Sequence, residues 1–419
     1  MDQSKKKRWG HLVTRTFIQS LSMKGRAVAL IALCEVMTLS LWFSATAVLP
    51  ALKLEGHLDA FHSSLFTSLV SVGFVFGTLV SALLGLADRL EPNHFFRVSA
   101  WAGALANLGL LVFPPSSATV LACRFATGVC MAGVYPVGMK MVATWAKGDM
   151  GLLVGILVGA LTLGSASPHL FNALGGLDWR VTVGLATASA AAAGWFVGWV
   201  QLGPNRTAAP PFQPRYVLQA WRNTPLRLAN FGYFGHQWEI YAMWAWIGSF
   251  LNSSFALSGA PAVYASIVTF TVIGIGGGLG CLIGGVCADR LGRTTVTMVA
   301  MATSGTCALT VGLLYGADWR LTGGLCLVWG VAVVADSAQF SSSVIELSDP
   351  AHVGTMLTTQ TCAGFLLTLV TIQLVPLLVD VVGWPWAFAG LAPGPFLGVV
   401  AMGMLRRRPE AARLADGRG

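Results

Sequence analysis

Twelve long apolar runs constrain this chain more than any other feature. They lie near residues 27–50, 63–87, 95–113, 118–143, 151–174 and 181–202, and again near 229–252, 263–288, 295–315, 321–345, 354–379 and 386–405. A helix needs about 20 apolar residues to cross roughly 30 Å of hydrocarbon. Transmembrane β-strands would be about ten residues long and alternate in polarity, so these runs are too long and too uniform for a barrel. Only 10% of the 419 residues are charged, where a soluble chain carries about 25%. Water could not solvate such a surface. The pattern predicts an all-α membrane protein of about twelve transmembrane helices.

Charge gives the orientation. An even number of spans puts both ends on one side. Of the 26 Lys and Arg, all but Lys53, Arg124, Arg180 and Arg320 fall on that side. The positive-inside rule makes it the cytoplasm, so both termini are expected there. The net charge of +9 then needs no nucleic-acid partner; it is this bias, with membrane lipid as the partner of the basic first residues. The start, MDQSKKKRWGHLVTRTF, lacks a cleavable signal pattern. The eight cysteines sit inside apolar runs with no C-x-x-C pair, which reads as small buried residues and no metal site. No Walker-type loop is present, and no cofactor is expected. The glycines of GIGGGLGCLIGG, residues 274–285, lie inside a span and serve helix packing.

The halves repeat one plan. Asp88 and Asp289 are 201 apart, as are Gly73 and Gly274, and Gly77 and Gly278; Gly151 and Gly354 are 203 apart, and Trp179 and Trp384 are 205 apart. A nearly constant offset is what a duplicated unit gives, and such repeats place a substrate site near mid-membrane where they meet. The expected units are a basic N-terminal segment 1–26, a six-helix bundle 27–202, a linker 203–228, a pseudo-symmetric six-helix bundle 229–405 and a basic tail 406–419. Ends this short leave no room for a signalling domain, which argues against a membrane sensor or scaffold.

Six plus six spans, a basic central linker and the turn ADRLGR together resemble the major facilitator superfamily (MFS). Its loop pattern G-x-x-x-D-R-x-G-R-[RK] is matched by Gly285, Asp289, Arg290, Gly292 and Arg293, with Thr294 departing. In the first half Asp88 and Arg89 match, while Glu91, Pro92 and Asn93 replace the rest. Span four carries Arg124 and Gly128, similar to the family's R-x-x-x-G. The resemblance implies a secondary transporter that rocks two bundles, works as a monomer in a cytoplasmic (inner) membrane, and uses those loop charges to latch the halves together.

A charge inside a span costs about 2.5–3.5 kcal/mol, so the few present mark candidate sites. Glu35, Arg124, Glu239 and Asp336 stand deepest, with Lys140 and Glu346 nearer the inner face. His236 and Glu239, spaced i, i+3, share a helical face. The repeat offset places Glu35 opposite His236, where an acid and an imidazole could pair. Asp336, Gln339, Ser343 and Glu346 form a polar stripe, which suits lining water or protein rather than lipid. Gly155 and Gly159 form a G-x-x-x-G, expected to allow close helix approach. Trp42 and Trp238 could stack on a flat substrate. The expected partners are a small organic solute and protons, coupled through Glu35, Glu239 and His236. The same resemblance implies that Arg124 assists proton exchange or binds an anionic substrate; more plainly, it would snorkel to the outer headgroups. A nitrate/nitrite-like anion porter is the rival, though spans two and eight lack the arginines it would need.

Overall fold

The computed structural model describes residues 23–147, 149–205 and 212–419, apart from the side chains of Asp88 and Asp416. The expected basic segment 1–26 lies almost wholly outside them, as do linker residues 206–211. Among the described residues every regular element is a helix. One bundle holds α1 Met23–Leu39, α2 Ala60–Leu84, α3 Pro92–Val112, α4 Ala118–Ala143, α5 Met150–Leu174 and α6 Trp179–Trp199. The other holds α7 Thr224–Leu257, α8 Ala262–Leu291, α9 Arg293–Leu314, α10 Trp319–Leu347, α11 Pro350–Val382 and α12 Trp384–Arg406. These are the expected twelve spans.

Ten of them are long and apolar enough to cross a membrane unaided; the two that are not are α1 and α7, the first helix of each bundle. They differ in kind. Helix α7 runs unbroken for 34 residues and is diluted by His236, Gln237 and Glu239. Helix α1 stops after 17 residues, where a continuous span to residue 50 was expected. Past Leu39 the chain turns through residues 40–45, with the Ser40 and Ser44 hydroxyls donating to the carbonyls of Met37 and Leu41. A 3-10 turn, Thr46–Val48, and a short helix, Leu49–Gly56, follow. His57 ends that helix in the left-handed region at φ 49°.

Glycines set how closely helices pack within each bundle. A Cβ on Gly128 of α4 would overlap the Val70 carbonyl oxygen of α2, and one on Gly73 would overlap the Phe125 carbonyl. In the second bundle a Cβ on Gly330 of α10 would overlap the Val272 carbonyl of α8. Val70 and Gly128 are each 202 residues before Val272 and Gly330, so the repeat survives as one backbone seam used twice. The expected close approach at Gly155 and Gly159 is absent: both face open space. The tight contact of α5 comes at Gly164, where a Cβ would stand 2.8 Å from Leu39 Cβ and from the Val36 carbonyl of α1. Helix α5 meets α1 one to two turns further along than the motif suggests.

The bundles meet through α2 against α11 and α5 against α8. We call the ends of the helices near Met23 and Arg406 the termini face and the opposite ends the far face. Among the described residues, polar ties between the bundles run from mid-depth, where Thr162 of α5 reaches the Gly274 carbonyl of α8 at 3.4 Å, toward the far face. Gln373 of α11 accepts from the Ser64 hydroxyl and donates to Ser68 Oγ at 3.3 Å, and Asn172 donates to Ser266 at 2.9 Å. Toward the termini face, Gly151, Gly155 and Gly159 of α5 and Gly285 of α8 have open space beside them.

Candidate functional site

At mid-depth the break in α1 delivers Trp42 into the space between the bundles. Its ring lies 5.2 Å from Phe74, 5.8 Å from Tyr241 and 5.7 Å from Phe365, centre to centre. Phe74 and Phe365 touch at 4.8 Å, and Phe43 meets Trp244 at 6.0 Å. Trp42, Phe43 and Phe74 come from one bundle; Tyr241, Trp244 and Phe365 come from the other. Trp42 is 2% exposed, so the cluster closes the centre. The indole N–H groups of Trp42 and Trp244 have no partner.

Glu35 sits below this cluster on α1. It is fully buried, and neither carboxylate oxygen has a hydrogen-bond partner. Space for it is made by Gly138 of α4, where a Cβ would collide with the carboxylate. Tyr135 stands at the kink of α4, three residues before Gly138. An ionised carboxylate held in a dry interior without a partner is costly, by several kcal/mol even after relaxation.

Arg124 does not reach the headgroups. It is 0% exposed. Its guanidinium donates to the carbonyls of Phe66 at 3.0 Å, Leu41 at 3.2 Å and Trp42 at 2.5 Å. Ser44 Oγ at 3.3 Å and Asn107 Oδ1 at 3.0 Å complete the set. In hydrocarbon every backbone group must be satisfied by protein. Arg124 is what permits α1 to unwind there, and it fixes where Trp42 stands.

The second bundle absorbs most of its own polar residues. His236 Nδ1 stands 2.8 Å from Asp336 Oδ1, both side chains 2% exposed. The contact lacks the alignment of a hydrogen bond. The expected Glu35–His236 pairing is not formed, because His236 turns toward α10 inside its own bundle. Glu239 accepts from Ser304 of α9 at 2.7 Å and Trp329 of α10 at 2.6 Å, which ties three helices of one bundle together. The Trp238 indole donates to the Gly390 carbonyl at 3.2 Å, facing α12 rather than the centre. The stripe on α10 lines protein: Arg293 donates to Gln339 at 2.8 Å and pairs with Glu346 at 2.5 Å.

The loop motif is similarly self-contained here. The partners of Arg293 lie on α10 of its own bundle, so in this conformation it braces α9 against α10 rather than crossing to the other half. Asp289, Arg290 and Arg89 are exposed; the Asp88 side chain is outside the described residues. Gly292, at φ 89°, carries the chain end: the Thr294 N–H donates to the Gly419 carbonyl at 3.1 Å, and Arg418 donates to the Asp289 carbonyl. Sequence reasoning picked out the polar residues and named Tyr135, with Arg124 and Gly128, as a candidate liner of the cavity. It gave Arg124 no backbone role. The only hint was the run SLWFSAT at residues 40–46, unusually rich in hydroxyls for a span.

Two six-helix bundles closing on a buried aromatic centre define a multi-pass membrane transporter of the two-bundle kind. The chain belongs to the Major Facilitator Superfamily, whose model matches residues 31–371. Its fold is shared by the solved nucleoside transporter NupG, at TM-score 0.71 and 14% identity over 91% of this chain and 99% of that one. A D-xylose-proton symporter is similar at TM-score 0.71 and 14% identity, over 92% and 98%. A gentisate transporter of Corynebacterium glutamicum is 29% identical over 154 residues, 36% of this chain. The chain thus matches about a third of that relative, 34% of its length.

Proposed function

We propose that the protein is a secondary active transporter that moves a small organic solute by alternating access, with a proton on Glu35 as the coupling ion. The buried, unpartnered Glu35 carboxylate, seven residues before Trp42, carries this reading. Sealing the centre around a bare charge is costly, so closure requires a proton or a cationic group there. Opening the bundles hydrates the carboxylate and lets the proton leave. That links protonation to the rocking motion. The aromatic surfaces of Trp42, Tyr241 and Phe365 suit a flat solute, and the partial likeness to a gentisate transporter supports the same class. Arg124 gives its donors to protein acceptors, which leaves it unsuited to an inorganic anion and weakens the porter alternative.

The Lys and Arg distribution supports placing the termini face in the cytoplasm. Residues 27–202 and 229–405 are then the rocking units. Glu239, held from two sides, is a structural tie, while His236 and Asp336 form a second titratable pair. The turn residues Asp88, Arg89, Gly285, Asp289, Arg290, Gly292 and Arg293 lie where a latch would engage when the termini face closes.

The test is dissipation of a pH gradient in inverted membrane vesicles. Gentisate, a nucleoside and D-xylose are offered to wild type, Glu35→Gln and Glu239→Gln. A solute that collapses the gradient in wild type is expected to lose at least tenfold of that effect in Glu35→Gln. Glu239→Gln should keep proton movement per folded molecule. Solute-driven proton flow that survives in Glu35→Gln would sink the coupling role.

A further inference from the structure

We propose that a cavity between the bundles near the far face is a second binding subsite, for a small uncharged solute bearing hydroxyl groups. The cavity measures about 130 Å³ and is walled by the residues after the α1 break, the end of α5, α7 and the start of α8. None of the central aromatics lines it. As a stop on the path of an uncharged solute, such as the D-xylose offered above, it rests on the transport reading; as a binding site it does not.

His169 is its focus. The side chain is 3% exposed, lines the cavity, and its Nε2 has no hydrogen-bond partner. A buried polar atom without a partner costs about 1–3 kcal/mol, so it needs an occupant. Gly248 of α7 makes room for the ring: a Cβ there would stand 3.0 Å from His169 Cε1. Ser249, Asn252 and Ser266 add further polar groups to the wall. Ser266 Oγ accepts from Asn172 at 2.9 Å, so its own hydrogen is left to donate. No lining residue is Asp, Glu, Lys or Arg.

Size and polarity then fix the class. A charged guest would enter without a counter-charge, which the low-dielectric interior penalises. An apolar guest would leave His169 unsatisfied. The volume holds roughly four waters, at about 30 Å³ each, and lies slightly below the roughly 150 Å³ of a cavity that binds benzene. A single hydroxylated ring matches that volume. Water alone is the other occupant.

The experiment uses the full chain in lipid nanodiscs with ring-15N histidine. The His169 signal is assigned by its loss in His169→Gln. Resorcinol and glycerol are the neutral probes; benzoate and tetramethylammonium are charged comparators. Resorcinol is expected to shift the His169 signal saturably, and the charged probes are expected not to. Ser249→Ala with Asn252→Leu should weaken resorcinol at least fivefold at an unchanged thermal midpoint. Gly248→Ala, which presses on the imidazole, should also weaken it and serves if the double variant does not fold. No saturable shift from either neutral probe, or equal affinity in the variants, overturns the proposal and leaves a water-filled space. Loss of solute-driven proton movement with resorcinol binding intact would count against the transport reading and leave the subsite standing.

Discussion

Arg124 illustrates how one side chain can license a backbone. It takes carbonyls from α1 and α2 and leaves none of them bare. Arg124→Gln removes most of those donors, and a hydrogen bond to a charged group is worth about 1.5–3 kcal/mol. The variant should lower stability in detergent by roughly 3 kcal/mol, read as a fall in thermal midpoint, and should lose transport. Arg124→Lys should rescue little, since one ammonium cannot fork toward Leu41, Trp42 and Phe66 together. Glu55 offers a pH-dependent counterpart outside the spans. Hydrogen bonds from Trp179 and Arg180 hold its carboxyl below the ordinary carboxylate value. With a lowered value, the tie is present above the unfolded value and is lost as pH falls through the folded one. Acidification below about pH 4 should therefore loosen the link between the Leu49–Gly56 helix and α6. Tryptophan fluorescence should report it, with the acid-dependent change absent in Glu55→Gln. The sequence made the charged residues conspicuous because hydrocarbon makes them costly. Their partners were not legible, because Glu239 meets Ser304 and Trp329 only after three helices pack.

Hydropathy located the twelve spans, yet it could not see the break in α1. Leu41, Trp42 and Phe43 are apolar, and what interrupts the helix is a donor from α4 some 80 residues away. Glycine spacing was similarly ambiguous. A G-x-x-x-G says two helices can approach, not that they do, and on α5 it was Gly164 rather than Gly155 or Gly159 that met a neighbour. Substitution should separate these cases. Gly128→Ala and Gly330→Ala drive a methyl into a backbone carbonyl, and overpacking of this kind costs about 1–3 kcal/mol or more. Both should reduce the folded yield sharply. Gly155→Ala meets nothing and should stabilise α5 by up to about 1 kcal/mol. Thermal unfolding of the three variants side by side checks the contrast.

On the scale of the molecule, the bundles are fastened toward the far face by Gln373 with Ser64 and Ser68 and by Asn172 with Ser266. Any opening on that side must undo them. A net hydrogen bond is worth about 1 kcal/mol, which is about a fivefold change in a two-state ratio. Gln373→Ala removes two such bonds and should shift the balance by roughly thirtyfold toward a far-face-open state. Spin labels on exposed Leu54 and Leu257 would show it as a larger long-distance population; an unchanged distribution would mean the clasp does not control opening. The repeat adds something else. Counting 202 residues along the shared seam from Arg124 arrives at Cys326, a buried thiol in α10. The corresponding first helix of that half, α7, never breaks. The chain thus carries its own comparison: one half holds an arginine and an opened first helix, the other holds neither. Exchanging the two residues between the halves, Arg124→Cys with Cys326→Arg, would show whether the arginine alone decides which helix opens.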